Sequence, residues 1–129
     1  MSEHLLSDSI QLVAKLVDRG EYDDALTVMA PWADAGLPDL QKTVVAHNVA
    51  HIYVSMQRPV EALAWFDWGL PIERGLRRTL LAEAKAALLV NLGRHDEAAA
   101  VLAALLAGEL PDAAARDRIV AALAFARGG

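Results

Sequence analysis

The chain has 129 residues, of which 55% are hydrophobic but only 5% aromatic, and it contains no cysteine. The lack of cysteine excludes disulfides and thiolate metal sites, and 12 Lys and Arg against 17 Asp and Glu argue against non-specific nucleic-acid binding. The longest apolar run, 98–107, is about half of a membrane span, and the N-terminus shows no secretion signal. We therefore expect a single cytoplasmic domain, 1–129, that does not contact a membrane.

The first pair of predicted helices occupies the N-terminal third of the chain. One helix begins after Ser7 and Asp8, either of which could cap it, and ends at Gly20. Its apolar stripe consists of Leu12, Val13, Leu16 and Val17. A second helix begins near Asp23, and its inner face consists of Ala25, Met29 and Trp32, with Trp32 expected in the core. Because proline lacks an amide donor, Pro31 should kink or end this helix.

The second pair is the clearest helical pattern in the sequence. Its first stripe recurs at i, i+3, i+4 and i+7 and consists of Ala46, Val49, Ala50 and Tyr53. A turn at Gln57 to Pro59 precedes a second stripe formed by Ala62, Phe66 and Leu70, and we expect the helix to close at Pro71. One such hairpin cannot bury both apolar faces, so it requires neighbours.

The third pair extends from about Arg77 to Ala107, with a turn at Gly93 and Arg94. Its two stripes consist of Leu81, Ala82, Ala86 and Leu89, and of Ala98, Leu102 and Leu105. A last helix over about 112–127 has one apolar face and a charged opposite face. It is suited to capping the final hairpin, because terminal repeats need a polar outer surface.

The turns of the three pairs align, with Ala25, Ala62 and Ala98 separated by 37 and 36 residues. The chain resembles the tetratricopeptide repeat (TPR) family. The motifs behind this resemblance are Gly20, Tyr22 and Ala25 in the turn, Ala50 and Tyr53, Ala62 and Phe66, and the closing Pro38, Pro71 and Pro111. It implies an all-α solenoid of seven helices, with repeats at about 8–38, 39–71 and 75–110 and the capping helix at about 112–127.

The resemblance further implies an adaptor or chaperone-like protein that binds a peptide or helical segment of another protein. TPR arrays bind in a concave groove lined by first helices. The positions that match this groove include Asp18, His47, Asn48, His51, Val54, Glu83 and Asn91. Only Asn48 matches the clamp with which some TPR proteins bind a terminal carboxylate, so an apolar or amphipathic segment is favoured.

His47 and His51 lie at i and i+4, a spacing that helical metal sites also use. Asn48 replaces the glutamate of the H-E-x-x-H motif, so zinc hydrolysis is not supported. A third ligand would have to come from Asp18, Glu83 or His4. Metal binding remains an alternative, but we favour peptide contact by these histidines. Since neither a phosphate-binding glycine loop nor a nucleophile elbow is present, we expect no cofactor and no enzymatic activity.

A second candidate interface is aromatic and basic. Because Phe66 should point inward, at least one of Trp65 and Trp68 should face outward, and these tryptophans could join two copies in a homodimer or pack on neighbouring elements. Arg74, Arg77 and Arg78 cluster where we expect a helix to start, opposing its dipole. They are interpreted either as a contact for an acidic partner segment or as a solvated basic corner.

Overall fold

A computed structural model describes the backbone of residues 2–128 and the side chains of residues 5–128. Over this range the chain forms seven α-helices, one short 3-10 helix and no strand, which confirms the all-α prediction. The helices are α1 (Ser2–Asp18), α2 (Tyr22–Met29), the 3-10 helix (Ala30–Asp34), α3 (Asp39–Ser55), α4 (Pro59–Gly75), α5 (Leu80–Asn91), α6 (His95–Ala107) and α7 (Ala113–Ala126). None of the helices in the described part of the chain has the length and apolar character needed to cross a membrane.

The chain divides into two compact units, Met1–Ile72 and Glu73–Gly129, called here the N-terminal and C-terminal units. The division falls in the last turn of α4, close to the sequence boundary between the second and third helix pairs. The expected single domain stays a prediction.

The N-terminal unit packs α1 against α2, and α2 against α3, around one apolar cluster. Its buried members are Leu6, Val13, Leu16, Ala25, Met29, Leu37, Val45, Val49 and Ile52. Trp32 is half-buried at its edge, where its indole N–H donates to the Ser9 hydroxyl at 3.1 Å. Two predictions for α1 are wrong: the helix begins at Ser2 rather than after Asp8, and Leu12 is exposed. The helix is thus longer than expected by more than a turn. The additional turn carries Leu6, which is buried in the core.

The C-terminal unit packs α5 against α6, and α6 against α7. Its buried apolar side chains are Leu81, Ala82, Ala86, Leu88, Leu89, Ala98, Leu102, Ala115, Ile119, Leu123 and Ala126. Asp112 caps α7, since its carboxylate accepts the Ala115 N–H at 2.8 Å.

The turns inside the three helix pairs have the same backbone geometry. Gly20, Gln57 and Gly93 each have a left-handed conformation, with φ of 73°, 59° and 76°. In each turn the next residue donates its N–H to a carbonyl five positions back, in the pairs Glu21 to Leu16 (2.8 Å), Arg58 to Tyr53 (2.9 Å) and Arg94 to Leu89 (2.8 Å). These bonds are those of a Schellman motif. These three turns therefore recur at the 37- and 36-residue spacing of the sequence.

The two prolines inside predicted helices behave differently. Pro31 ends α2, as expected, and the chain continues as the 3-10 helix. Pro71 lies inside α4, which extends to Gly75, so the prediction that the helix closes at Pro71 is wrong. A proline removes a single helical hydrogen bond, and the extra turn brings Glu73 to the start of α5.

Glu73 caps α5 from a distance along the chain. Its buried carboxylate accepts the N–H groups of Leu81 at 2.7 Å and Ala82 at 3.2 Å, two donors that have no partner within the helix. Burial raises the pKa of Glu73 above its usual value, although these two hydrogen bonds act in the opposite direction.

Candidate functional site

The outward face of α3 carries the predicted histidines. Its residues are exposed or half-exposed along the whole helix: Leu40, Val44, His47, His51 and Val54. Asn48 lies beside this stripe and donates its side-chain N–H to the Val44 carbonyl at 2.9 Å. Asp18 is exposed at the end of α1, a helix that contacts α3. The α3 face, as we call this stripe, has apolar side chains at its ends and imidazoles in its middle.

The surroundings of His47 favour its neutral form. Partial burial lowers the pKa of His47 below 6.5, and the nearby His51 lowers it further. His47 is therefore mainly neutral at pH 7, and its ring offers one hydrogen-bond donor and one acceptor. Among the residues with described side chains, no group of three His, Cys, Asp or Glu residues could hold a metal ion. The side chain of His4 lies outside the described residues.

Two other predicted groove residues, Glu83 and Asn91, line a small apolar groove between α5 and α7. The groove has a volume of about 180 Å³ and is lined by Glu83, Ala86, Ala87, Val90, Asn91, Leu102, Ala122 and Phe125. Phe125, which is 69% exposed, is not among the residues predicted from the sequence, because α7 is expected there only to cap the final hairpin. An aromatic side chain on the polar side of that helix was the available signal.

Glu83 is engaged within the C-terminal unit. It accepts a bidentate pair of hydrogen bonds from Arg118 at 3.0 and 3.1 Å and a further bond from the Thr79 hydroxyl at 2.8 Å. Partial burial alone would raise the pKa of Glu83, but these hydrogen bonds and the Arg118 charge lower it overall. The carboxylate thus ties α7 to α5.

A larger groove lies between α2 with its 3-10 extension and α4, and we call it the tryptophan groove. Its volume is about 760 Å³, and it is lined by Leu26, Thr27, Ala30, Pro31, Ala33, Asp34, Ala64, Trp65 and Trp68. The Trp65 and Trp68 rings meet edge to face, with centroids 5.7 Å apart. Trp65 packs on the apolar cluster, whereas Trp68 is 39% exposed and faces outward. Its use as an interface stays a prediction.

The arginine cluster does not lie within the first turn of a helix, so its expected position is wrong, whereas its role as a partner contact or a solvated corner stays a prediction. Arg74 lies in the last turn of α4, where a cation complements the helix dipole, and Arg77 and Arg78 lie in the linker before α5. Arg77 forms an exposed ion pair with Glu109 at 3.2 Å. The reason for the error is that α4 continues beyond Pro71 and α5 begins only at Leu80.

Comparison with protein-family models, curated proteins and solved structures yields no significant match. Functional inference therefore depends on the surfaces described above. These are the α3 face, the α5–α7 groove and the tryptophan groove.

Proposed function

We propose that this chain is a TPR-like protein-interaction module, an adaptor or chaperone-like binder, that holds an apolar or amphipathic segment of another protein on its first helices. The repeated turn supports this proposal. Each of the three turns has a left-handed residue at the same place and the same hydrogen bond, and each is followed by a fully buried alanine, Ala25, Ala62 or Ala98. Small side chains at these positions permit the close helix approach that a stacked repeat needs.

The observation that carries the proposal is the exposure of the α3 face. Leu40 and Val54 are 36% and 37% exposed at its two ends, and His47 and His51 are exposed between them. A surface with apolar ends and a polar centre suits a segment whose apolar side chains flank a polar centre. Such a segment buries its apolar side chains while its polar groups find partners.

Hydrogen bonding at the centre of the α3 face provides specificity. Each imidazole has a donor and an acceptor nitrogen when neutral. The Asn48 amide uses one N–H on its own helix and has a second N–H and a carbonyl oxygen for a partner's backbone. The polar centre would therefore fix the register of the bound segment.

The test is a triple variant, His47→Ala with Asn48→Ala and His51→Ala. A partner is first captured from native lysate and identified, and its affinity for both proteins is then measured with purified components. We expect at least a tenfold loss of affinity, the size of a typical interface hot spot, with unchanged helicity by circular dichroism.

A matched triple variant on the outer face of α7, Arg116→Ala with Asp117→Ala and Val120→Ala, provides the control, because all three side chains are exposed. It should retain the partner. Equal affinity of the α3 variant and the parent chain would refute the assignment of the α3 face.

A further inference from the structure

The two chain segments that form the tryptophan groove lack Lys and Arg. Residues 20–41, which include α2 and the 3-10 helix, contain no Lys or Arg but have five acidic residues: Glu21, Asp23, Asp24, Asp34 and Asp39. Residues 59–72 of α4 also lack Lys and Arg and contain two acidic residues, Glu61 and Asp67. In a chain with 12 Lys and Arg, every charged residue of these two segments is thus acidic.

The acidic and aromatic groups meet at the groove itself. Asp34 is one of its lining residues, and Asp23 lies one turn before Thr27, whose hydroxyl donates to the Asp23 carbonyl at 3.0 Å. Trp68 is partly exposed on the opposite wall. Tryptophan is the aromatic side chain that attracts cations most strongly, and nearby carboxylates reinforce this attraction.

We propose that the tryptophan groove binds a cationic amphipathic segment of another protein. The apolar side chains of that segment pack on Leu26, Ala30 and Ala64, and an Arg or Lys of the segment lies on Trp68 and pairs with Asp34. This site is formed by different helices from the α3 face. It goes beyond the proposed function by adding a second surface and the charge of its partner.

Charge also argues against the other occupants. An anionic segment would meet the Asp34 carboxylate in the groove and the other acidic residues of residues 20–41 beside it. A symmetric dimer through this groove would place the same patch of each copy against its counterpart, which brings Asp34 and its acidic neighbours together. Like charges placed opposite one another across an interface are unfavourable, so a cationic segment is the complementary occupant.

The experiment uses the full chain and two synthetic amphipathic peptides of about 18 residues, roughly five helical turns. One peptide combines Leu with Lys and Arg, and the other has Glu at every cationic position. Binding is measured by fluorescence anisotropy of a labelled peptide at increasing NaCl. We expect the cationic peptide to bind at least tenfold more tightly than the anionic one and to weaken as salt screens the charges.

Two variants locate the binding. Trp68→Ala should weaken cationic-peptide binding about tenfold, and Asp34→Asn should weaken it severalfold. The controls Phe125→Ala and Asp117→Asn remove an exposed aromatic and an exposed carboxylate on α7 and should leave binding unchanged. These controls separate binding in the groove from general attraction to a chain with a net charge of −5.

Three outcomes would overturn the proposal. The first is equal binding of the two peptides, and the second is cationic binding that Trp68→Ala and Asp34→Asn leave unchanged. The third is a dimer by light scattering that Trp68→Ala dissociates, which would assign the groove to a second copy. None of these outcomes affects the α3 face, so the proposed function would be judged separately.

Discussion

Two non-glycine residues adopt a left-handed conformation at helix ends, Gln57 with φ of 59° and Arg77 with φ of 57°. This conformation costs an L-residue about 1–2 kcal/mol, whereas glycine adopts it freely. Glycine also increases the entropy of the unfolded chain, which offsets about 0.4–1 kcal/mol of the stability gained by removing this strain. We therefore predict that Gln57→Gly raises the free energy of unfolding by about 0.5–1 kcal/mol, measured by urea denaturation.

The same alanine substitution at two glycines provides the control. Gly93 is left-handed, and Gly75 is not, although neither would bring a new Cβ within 4 Å of another group. Gly93→Ala should lower the free energy of unfolding by about 1 kcal/mol, whereas Gly75→Ala, in the last turn of α4, should leave it unchanged or raise it. If both changes had the same sign, backbone conformation would not be the cause.

For single residues, the sequence predicts which side chains share a helix face better than it predicts which side chains bond to each other. Helical spacing places His47 and His51 together on an exposed face, because their relation is local. The engagement of Glu83 by Arg118 joins residues 35 positions apart and leaves no local pattern. Only the structure therefore shows which of the predicted groove residues already have a partner within the protein.

The junction of α4 and α5 depends on Glu73, the buried carboxylate that caps α5. Glu73→Ala would leave the N–H groups of Leu81 and Ala82 without this acceptor, and we predict a loss of about 1–2 kcal/mol in the free energy of unfolding. Glu73→Gln retains one acceptor oxygen and should lose less. Chemical denaturation with circular dichroism measures both changes.

Glu97→Ala is the matched control for Glu73→Ala, because Glu97 is exposed and its hydrogen-bonded partner is the exposed Arg94 three residues away. An exposed pair of this kind contributes about 0.5 kcal/mol or less. Equal losses at positions 73 and 97 would show that the cap contributes nothing beyond an ordinary surface charge.

Helix existence is predictable from this sequence, whereas helix ends are not. The apolar period identifies the seven α-helices of residues 2–128, because each must bury one face. Pro31 and Pro71 look alike in sequence, yet only Pro31 ends its α-helix. What separates them is a tertiary effect, since the turn after Pro71 carries the carboxylate that α5 needs.

For the whole molecule, the repeat spacing predicted a chain of similar helix pairs, and the shared turn geometry agrees with it. The division into two compact units was not predicted. Sequence periodicity describes how each pair is built, but not how contacts are distributed among pairs. Stacked repeats contact mainly their neighbours, so their cooperativity depends on those interfaces.

The final prediction concerns this cooperativity. Ile52 in the N-terminal unit and Ile119 in the C-terminal unit are both fully buried. Ile→Val at either position removes one buried methylene and should lower the free energy of unfolding by about 0.5–1.5 kcal/mol. We expect Ile52→Val to lower hydrogen-exchange protection mainly within 2–72, and Ile119→Val mainly within 73–128, because the contacts of each residue belong to its own unit. Equal loss of protection throughout the chain in both variants would instead show one cooperative domain, as the sequence alone suggested.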